Sequence, residues 1–170
     1  KKSSMTDLMI IGRSEKIAIE AKYTEVKEPI ETISAWMTKT KSVDNKRKVL
    51  KHWIDIINPY LSCPLDESKI GEIQYQFLHR TASACYDNTG NAYVIYQIFY
   101  DGETEEKMSG FILSIEKSVK LISPIERLKF YVNTIEVELI KDIKEGQMIL
   151  SELKKGYLYK FKEGVFYEIS

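Results

Sequence analysis

The stretch TDLMIIGRSEKIAIEAKYTE, residues 6–25, places two apolar runs on either side of a polar turn. The alternation of side chains over 6–12 and 16–24 predicts two antiparallel strands, with a turn at residues 12–15. A turn centred between Arg13 and Ser14 puts Asp7 opposite Glu20, with their Cβ atoms roughly 4.5–5.5 Å apart. The hairpin therefore predicts that two carboxylates from neighbouring strands lie side by side.

The two faces of this hairpin differ in chemistry. Because side chains alternate along a strand, Lys22 projects on the same side as Glu20 and Asp7. That side also carries Met9, Ile11 and Ala18, whereas the opposite side is wholly apolar and is expected to face the core: Leu8, Ile10, Ile17, Ile19 and Ala21. Two such acids can share a hard cation such as Mg²⁺, and a lysine beside them can help to hold a phosphate. A salt-bridged cluster at the rim of a sheet explains the same residues without catalysis.

Thr6-Asp7 followed by Glu20-Ala21-Lys22 resembles the signature of the PD-(D/E)xK nuclease superfamily. The resemblance implies an α/β fold of the restriction-endonuclease-like type, a mixed central sheet flanked by helices, here with added C-terminal strands. It implies that Asp7 and Glu20 bind Mg²⁺ or Mn²⁺, that the carbonyl of Ala21 is a further ligand, and that Lys22 is the catalytic lysine. We expect a single domain over 1–170, with the motif-bearing core in 1–102 and a helix and strands in 103–170.

One departure from the superfamily lies upstream of the motif, where its core normally has a helix and a strand before the first acid. Here residues 1–6 precede Asp7. Either the upstream elements belong to a part of the protein outside this sequence, or a C-terminal strand such as 129–140 fills the vacant position in the sheet. The second alternative would leave the additional acid of that helix missing.

The rest of the chain alternates between helical and extended patterns. Apolar spacing, Pro and Gly positions and turn residues predict helices over 30–42, 43–61, 66–85 and 104–122, a strand over 92–100 buried on both faces, a strand over 129–140, and a hairpin over 157–169 that turns at 162–164. Strands alternating with helices in this order indicate an α/β or α+β protein.

Two groups of polar residues are candidates for contact with nucleic acid. On the helix predicted over 66–85, Gln76, His79 and Arg80 lie away from most of the apolar stripe, and a planar guanidinium suits phosphate. The basic run 39–52 includes Lys46, Arg47 and Lys48, which would neutralise phosphates. A solvated helix face is the alternative for both groups.

Composition limits the functional classes. Lys+Arg and Asp+Glu both number 25, so no overall field favours nucleic acid and a basic surface must be local. No apolar run reaches the ~20 residues of a membrane span, and two cysteines do not form a disulfide framework, so we expect a cytoplasmic protein.

The favoured function is a metal-dependent nuclease that acts on DNA, with RNA left open, in restriction, defence or repair; a homodimer is compatible with it. The alternative is an inactive nuclease-fold module that binds nucleic acid or a protein partner.

Overall fold

The computed structural model of the protein describes residues 7–23, 26, 29–39, 42–65, 68, 70–139 and 159–170. Within these ranges the strands are β1 (Leu8–Ile11), β2 (Glu15–Lys22), β3 (Asn91–Tyr100), β4 (Leu128–Leu139), β5 (Tyr159–Phe161) and β6 (Val165–Ile169). The helices are α1 (Ile33–Thr38), α2 (Val43–Ile57), α3 (Tyr75–Cys85) and α4 (Glu105–Ile122), and a 3₁₀ turn covers Asn58–Tyr60.

These strands form one mixed sheet, so the α/β class is confirmed. Its order is β1-β2-β3-β4, with β5 and β6 along the outer edge of β4. Strands β2, β3 and β4 are parallel, whereas β1, β5 and β6 run antiparallel to their neighbours. Each parallel pair is joined by a helical crossover, as parallel strands require: α1 to α3 connect β2 to β3, and α4 connects β3 to β4.

The first hairpin has the predicted register. Leu8 pairs with Ile19 and Met9 pairs with Ala18, and the amide of Gly12 donates to the carbonyl of Glu15 across the turn at 2.8 Å. The period of the side chains was therefore sufficient to fix the pairing of these two strands.

The helices cover the opposite face of the sheet from the one expected. The ring of Phe77 in α3 stacks on Phe130, and Phe111 in α4 contacts Tyr96, so the face with Ala18 and Glu20 is the buried one. On the other face Leu8 is 52% exposed and Ile10 is 46% exposed. The expectation that this face meets the core was wrong, and so was the expectation that 92–100 is buried on both faces. Burial alternates along β3.

Two helices are shorter than predicted, because backbone groups before α3 bond to the entry of α1. The amides of Ile33 and Ser34 donate to the carbonyls of Ile73 and Gly71, so 70–74 is not helical and α3 begins at Tyr75 rather than at 66. Thr32 caps α1 by accepting from the amide of Ala35 at 3.2 Å. The helices predicted over 43–61 and 104–122 are confirmed as α2 with its 3₁₀ turn and as α4.

The C-terminal strands do not form the predicted hairpin. Both β5 and β6 pair with β4, Phe161 opposite Val137 and Val165 opposite Thr134, so residues 162–164 interrupt a single line of pairing. Gly164 allows the close approach, since a Cβ there would lie 2.9 Å from Cγ1 of Ile135. Because β4 pairs with β3, it does not fill the position beside β1.

The structure bears on two points raised by the composition, membrane-spanning helices and the two cysteines. No described helix is long and apolar enough to cross a membrane. Cys63 is exposed and Cys85 is buried, and both are free thiols. Burial raises the pKa of the Cys85 thiol to about 12, so this side chain is a neutral core residue at physiological pH.

Candidate functional site

Asp7 immediately precedes β1, just before the pairing of Leu8 with Ile19, and lies beside the strand that carries the other two motif residues. Its carboxylate accepts a hydrogen bond from the backbone amide of Ala21 at 2.8 Å, and the side chain is exposed. This bond anchors the first acid against the middle residue of Glu20-Ala21-Lys22. The structure thus brings the sequence-predicted motif to one end of the hairpin.

Glu20 is the centre of a buried ionic cluster, defined here as Glu20, Lys22 and Arg80, which are 2%, 6% and 6% exposed. Lys22 Nζ donates to Glu20 Oε1 at 2.6 Å, and Arg80 Nε donates to Glu20 Oε2. Two cations therefore share one carboxylate. The ionic cluster has a formal charge of +1, which suits an anionic ligand.

The ionic cluster forms because α3 packs across β2. Lys22 follows Glu20 by two residues and lies on the same face of the strand, while Arg80 enters from α3 above that face. Removing such charges from water costs several kcal/mol per ion, and close geometry with hydrogen bonds must offset that cost. Burying three charged side chains is thus costly, and well-packed apolar side chains can give similar stability without that cost.

His79 contacts Arg80 through a side-chain hydrogen bond. Its Nδ1 lies 2.8 Å from an Arg80 terminal nitrogen, and since arginine only donates, Nδ1 accepts and the ring proton resides on Nε2. Burial first, and then the charge of Arg80, lower the pKa of His79 to about 4. The ring also packs against Trp53, with centroids 4.9 Å apart. His79 is therefore a neutral acceptor at physiological pH.

Tyr96 is a residue of this site that the sequence did not reveal. It pairs with Glu20 in the parallel register of β2 and β3, it is fully buried, and its hydroxyl has no hydrogen-bond partner in the described part of the chain. Burial, and then the charge of Glu20, raise its pKa, so the hydroxyl stays protonated. The sequence shows only a tyrosine in an apolar strand, and the register that places it beside Glu20 has no local signal.

The proposed metal ligands fit a hard cation by type but not by their present bonding. Two carboxylates and a carbonyl are the ligands that Mg²⁺ prefers. Both Glu20 oxygens, however, already accept from cations. Within the described ranges no group of three or more His, Cys, Asp or Glu side chains could hold a metal ion. A cation bound between Asp7 and Glu20 would share the Glu20 carboxylate with Lys22 and Arg80 or replace one of them.

The expected nucleic-acid contacts divide into buried and exposed residues. His79 and Arg80 are buried, and Gln76 is half-buried, so this part of α3 is not a solvated face. On α2, Lys46 Nζ lies 4.7 Å from the ring centroid of Trp36 and donates to its carbonyl. Arg47 and Lys48 are exposed. Contact of any of these residues with nucleic acid stays a prediction.

A family model described as a domain of unknown function (DUF6946) matches residues 1–155. The chain belongs to this family. No curated protein and no solved structure matches it. The DUF6946 match includes Asp7, the whole ionic cluster and Tyr96, whereas β5 and β6 follow it along the chain.

Proposed function

We propose that this protein is a divalent-metal-dependent phosphodiesterase of the restriction-endonuclease-like type that cleaves DNA. The observation that carries the proposal is the bond from the Ala21 amide to the Asp7 carboxylate. It holds the first acid of the predicted signature beside Glu20 and Lys22. The antiparallel hairpin, the helical crossover and the parallel strand β3 also follow the order that the PD-(D/E)xK resemblance implies.

Each residue has a role that its chemistry supports. Asp7, Glu20 and the Ala21 carbonyl would hold the cation, with Glu20 giving up its bond to Arg80. A bound Mg²⁺ would supply Lewis acidity and lower the pKa of an attacking water. Lys22 is a compact ammonium that stabilises charge developing on the phosphate oxygens. Arg80, released from Glu20, offers a planar fork that suits a phosphodiester.

A second candidate is supported by a specific observation. Both oxygens of Glu20 are bonded to Lys22 and Arg80, which is the arrangement of a structural ion cluster. On this reading the protein keeps the nuclease-like sheet but does not cut, and it binds nucleic acid or a protein partner. The two candidates differ in whether Glu20 exchanges its protein partners for a cation.

The test is cleavage of plasmid and single-stranded DNA with Mg²⁺ or Mn²⁺. Lys22→Ala is expected to slow cleavage about a hundredfold or more, the scale for loss of one preorganised electrostatic group. Lys129→Ala is the matched control, because Lys129 is a lysine on the parallel strand β4 that pairs at the surface with Glu168. The control is expected to cleave at the wild-type rate.

A calorimetric titration with Mn²⁺ separates the remaining outcomes. Asp7→Asn should abolish metal binding, whereas Asp55→Asn, an exposed position on α2, should leave it unchanged. Equal cleavage by wild type and Lys22→Ala would identify a contaminating nuclease. A folded wild-type protein that neither binds Mn²⁺ nor cleaves would establish the noncatalytic module instead.

A further inference from the structure

A cavity of about 220 Å³ opens on the face of the sheet that no described helix covers, far along β2, β3 and β4 from the first turn. The described residues that line it are Tyr23, Phe99, Val137, Tyr159 and Phe161. Its place is where the carboxyl ends of the parallel strands meet, which is the usual side for ligands in open α/β sheets. We call these five residues the aromatic cavity.

The rings of the aromatic cavity stand at steep angles to one another. Tyr23 and Tyr159 meet edge to face, with centroids 5.8 Å apart and planes at 80°. Phe99 and Phe161 are 6.0 Å apart at 66°. Two edge-to-face ring pairs thus line one small cavity. Aromatic rings around a small volume attract organic cations through any face open to it, and cages of this kind recognise quaternary ammonium groups.

The space next to the aromatic cavity carries negative charge. A second cavity of about 430 Å³ shares Tyr23, Val137 and Tyr159 with it, and is lined in addition by four acids, one lysine and a glycine: Asp101, Glu103, Glu136, Glu138, Lys162 and Gly102. Lys162 is bonded to Glu136, which leaves an excess of carboxylates. An anion is disfavoured at such a mouth, and a cation is favoured.

Tyr23 connects the two cavities and is held in place by an acid. Its hydroxyl donates to Asp101 at 2.8 Å. Burial, followed by the contact with Asp101, raises the pKa of Tyr23, so it remains a donor. Burial alone would raise the pKa of Asp101, but hydrogen bonds from Tyr23, Thr104 and nearby amides bring it below the ordinary value, so the carboxylate is charged at neutral pH.

We propose that the aromatic cavity binds a trimethylammonium group, with the rest of the ligand extending into the acidic cavity. The volume of about 220 Å³ is below the roughly 300–1,000 Å³ of sites for drug-sized ligands and suits a small head group. The cation is held by ring faces and by the field of the carboxylates. This site is separate from the ionic cluster and does not depend on the proposed cleavage activity.

The test is an NMR titration of the full chain with choline, following its N-methyl signal. The comparison ligand is the neutral isostere in which a tert-butyl group replaces the trimethylammonium group. Choline is expected to bind about tenfold more tightly than the isostere, as cation–π attraction in a partly desolvated site predicts. A peptide with trimethyl-lysine tests whether the same group is taken from a protein rather than from a small molecule.

Three variants make the proposal specific. Phe161→Leu keeps an apolar side chain of similar size but loses the ring, so the preference for choline over its isostere should disappear. Phe166→Leu is the matched control, since Phe166 is similarly exposed (56% against 60%) on the same face but outside the cavity; it should bind choline as wild type does. Asp101→Asn should weaken choline and leave the isostere unchanged.

Equal binding of choline and the isostere to the wild-type protein would overturn the proposal and leave a merely apolar cavity. Absence of binding by choline and by the trimethyl-lysine peptide, with the fold confirmed by its thermal transition, would also overturn it.

Discussion

The two faces of the sheet differ in a way that inverts the usual partition of residues. Under α3 and α4, the covered face buries the charges of Glu20, Lys22 and Arg80. The other face exposes Leu8 and Ile10 to solvent. Charged side chains are almost never fully buried unless paired, and contiguous exposed apolar surface commonly marks an interaction site. The covered face therefore buries paired charges, while the other face leaves apolar side chains in contact with water.

The departures are of different kinds. On the covered face the charges of the ionic cluster are paired with one another, so part of their desolvation cost is offset locally. On the open face the side-chain amide of Asn133 donates to the Gln97 side chain at 2.8 Å, the Tyr131 hydroxyl donates to Glu168 at 3.1 Å, and the Tyr131 ring stacks on Phe166 with centroids 5.1 Å apart. The charged side chains of the covered face are thus held by their ion pairs. The side chains of the open face contact one another, and no described helix lies above them.

The largest expected effect comes from breaking the ionic cluster on the covered face. Arg80→Met leaves Glu20 with one cation and His79 without its donor, and should lower the free energy of unfolding by about 3–5 kcal/mol. Replacing Glu20, Lys22 and Arg80 together with Met removes every buried charge, and should return stability to within about 1 kcal/mol of wild type or above it. Urea denaturation measures both.

The control for this prediction is an ion pair at the surface. Lys129→Met breaks an exposed pair with Glu168, whose atoms are 3.4 Å apart, and should leave the urea midpoint close to that of wild type, because exposed ion pairs contribute little to stability. If the triple variant is as unstable as Arg80→Met, the ionic cluster is itself a stabilising element. The functional interpretation of the covered face would then lose its main energetic support.

The next effect is a pH dependence centred on His79. Its pKa falls from an ordinary 6.5 to about 4 in the folded protein, so between these values the unfolded chain binds more protons. The contribution of His79 to the free energy of unfolding is therefore fully present above pH 6.5. It decreases by up to about 3 kcal/mol as the pH falls towards 4. Urea midpoints measured across this range should therefore decrease on acidification.

Two variants test whether the change of the urea midpoint with pH, called the slope here, comes from His79. His79→Asn does not titrate and its amide oxygen can accept from Arg80, so it should flatten the profile between pH 6.5 and 4. His52→Asn, at an exposed position on α2, should leave the slope as in wild type. A wild-type slope in His79→Asn would assign the acid sensitivity to carboxylates elsewhere.

The sequence predicted local features of the sheet correctly but predicted its covered face wrongly. The hairpin register and the helices α2 and α4 follow from short-range periodicity, and these predictions are confirmed. Which face the helices would cover was predicted wrongly, because Leu8 and Ile10 look more core-like than Glu20 and Lys22. Glu20 is buried together with its partner Arg80, which lies 60 positions away in the chain. No local pattern encodes such a pairing.

The other errors have the same origin. Residues 70–74 have helical spacing, but the carbonyls of Gly71 and Ile73 accept hydrogen bonds from the first residues of α1. The sequence around Gly164 is typical of a turn, yet its neighbours on both sides pair with β4. Partners distant in sequence decided each case, which propensity does not report. Placement of Asp7, Glu20 and Lys22 was accessible because all three lie within one hairpin.

The smallest expected effect tests whether the open face contributes to stability at all. Ile10→Ala removes three carbon atoms from a side chain that is 46% exposed, and should cost less than about 1 kcal/mol, because much of that surface already meets water. Ile98→Ala is the same change on the covered face, where the side chain is fully buried, and should cost about 2–5 kcal/mol through lost burial and the cavity left behind. Urea denaturation of both variants gives the ratio directly. Similar losses would mean that Ile10 is covered in solution, and the contrast between the two faces would then be wrong; a small loss at Ile10 beside a large one at Ile98 would leave its apolar surface free for a partner.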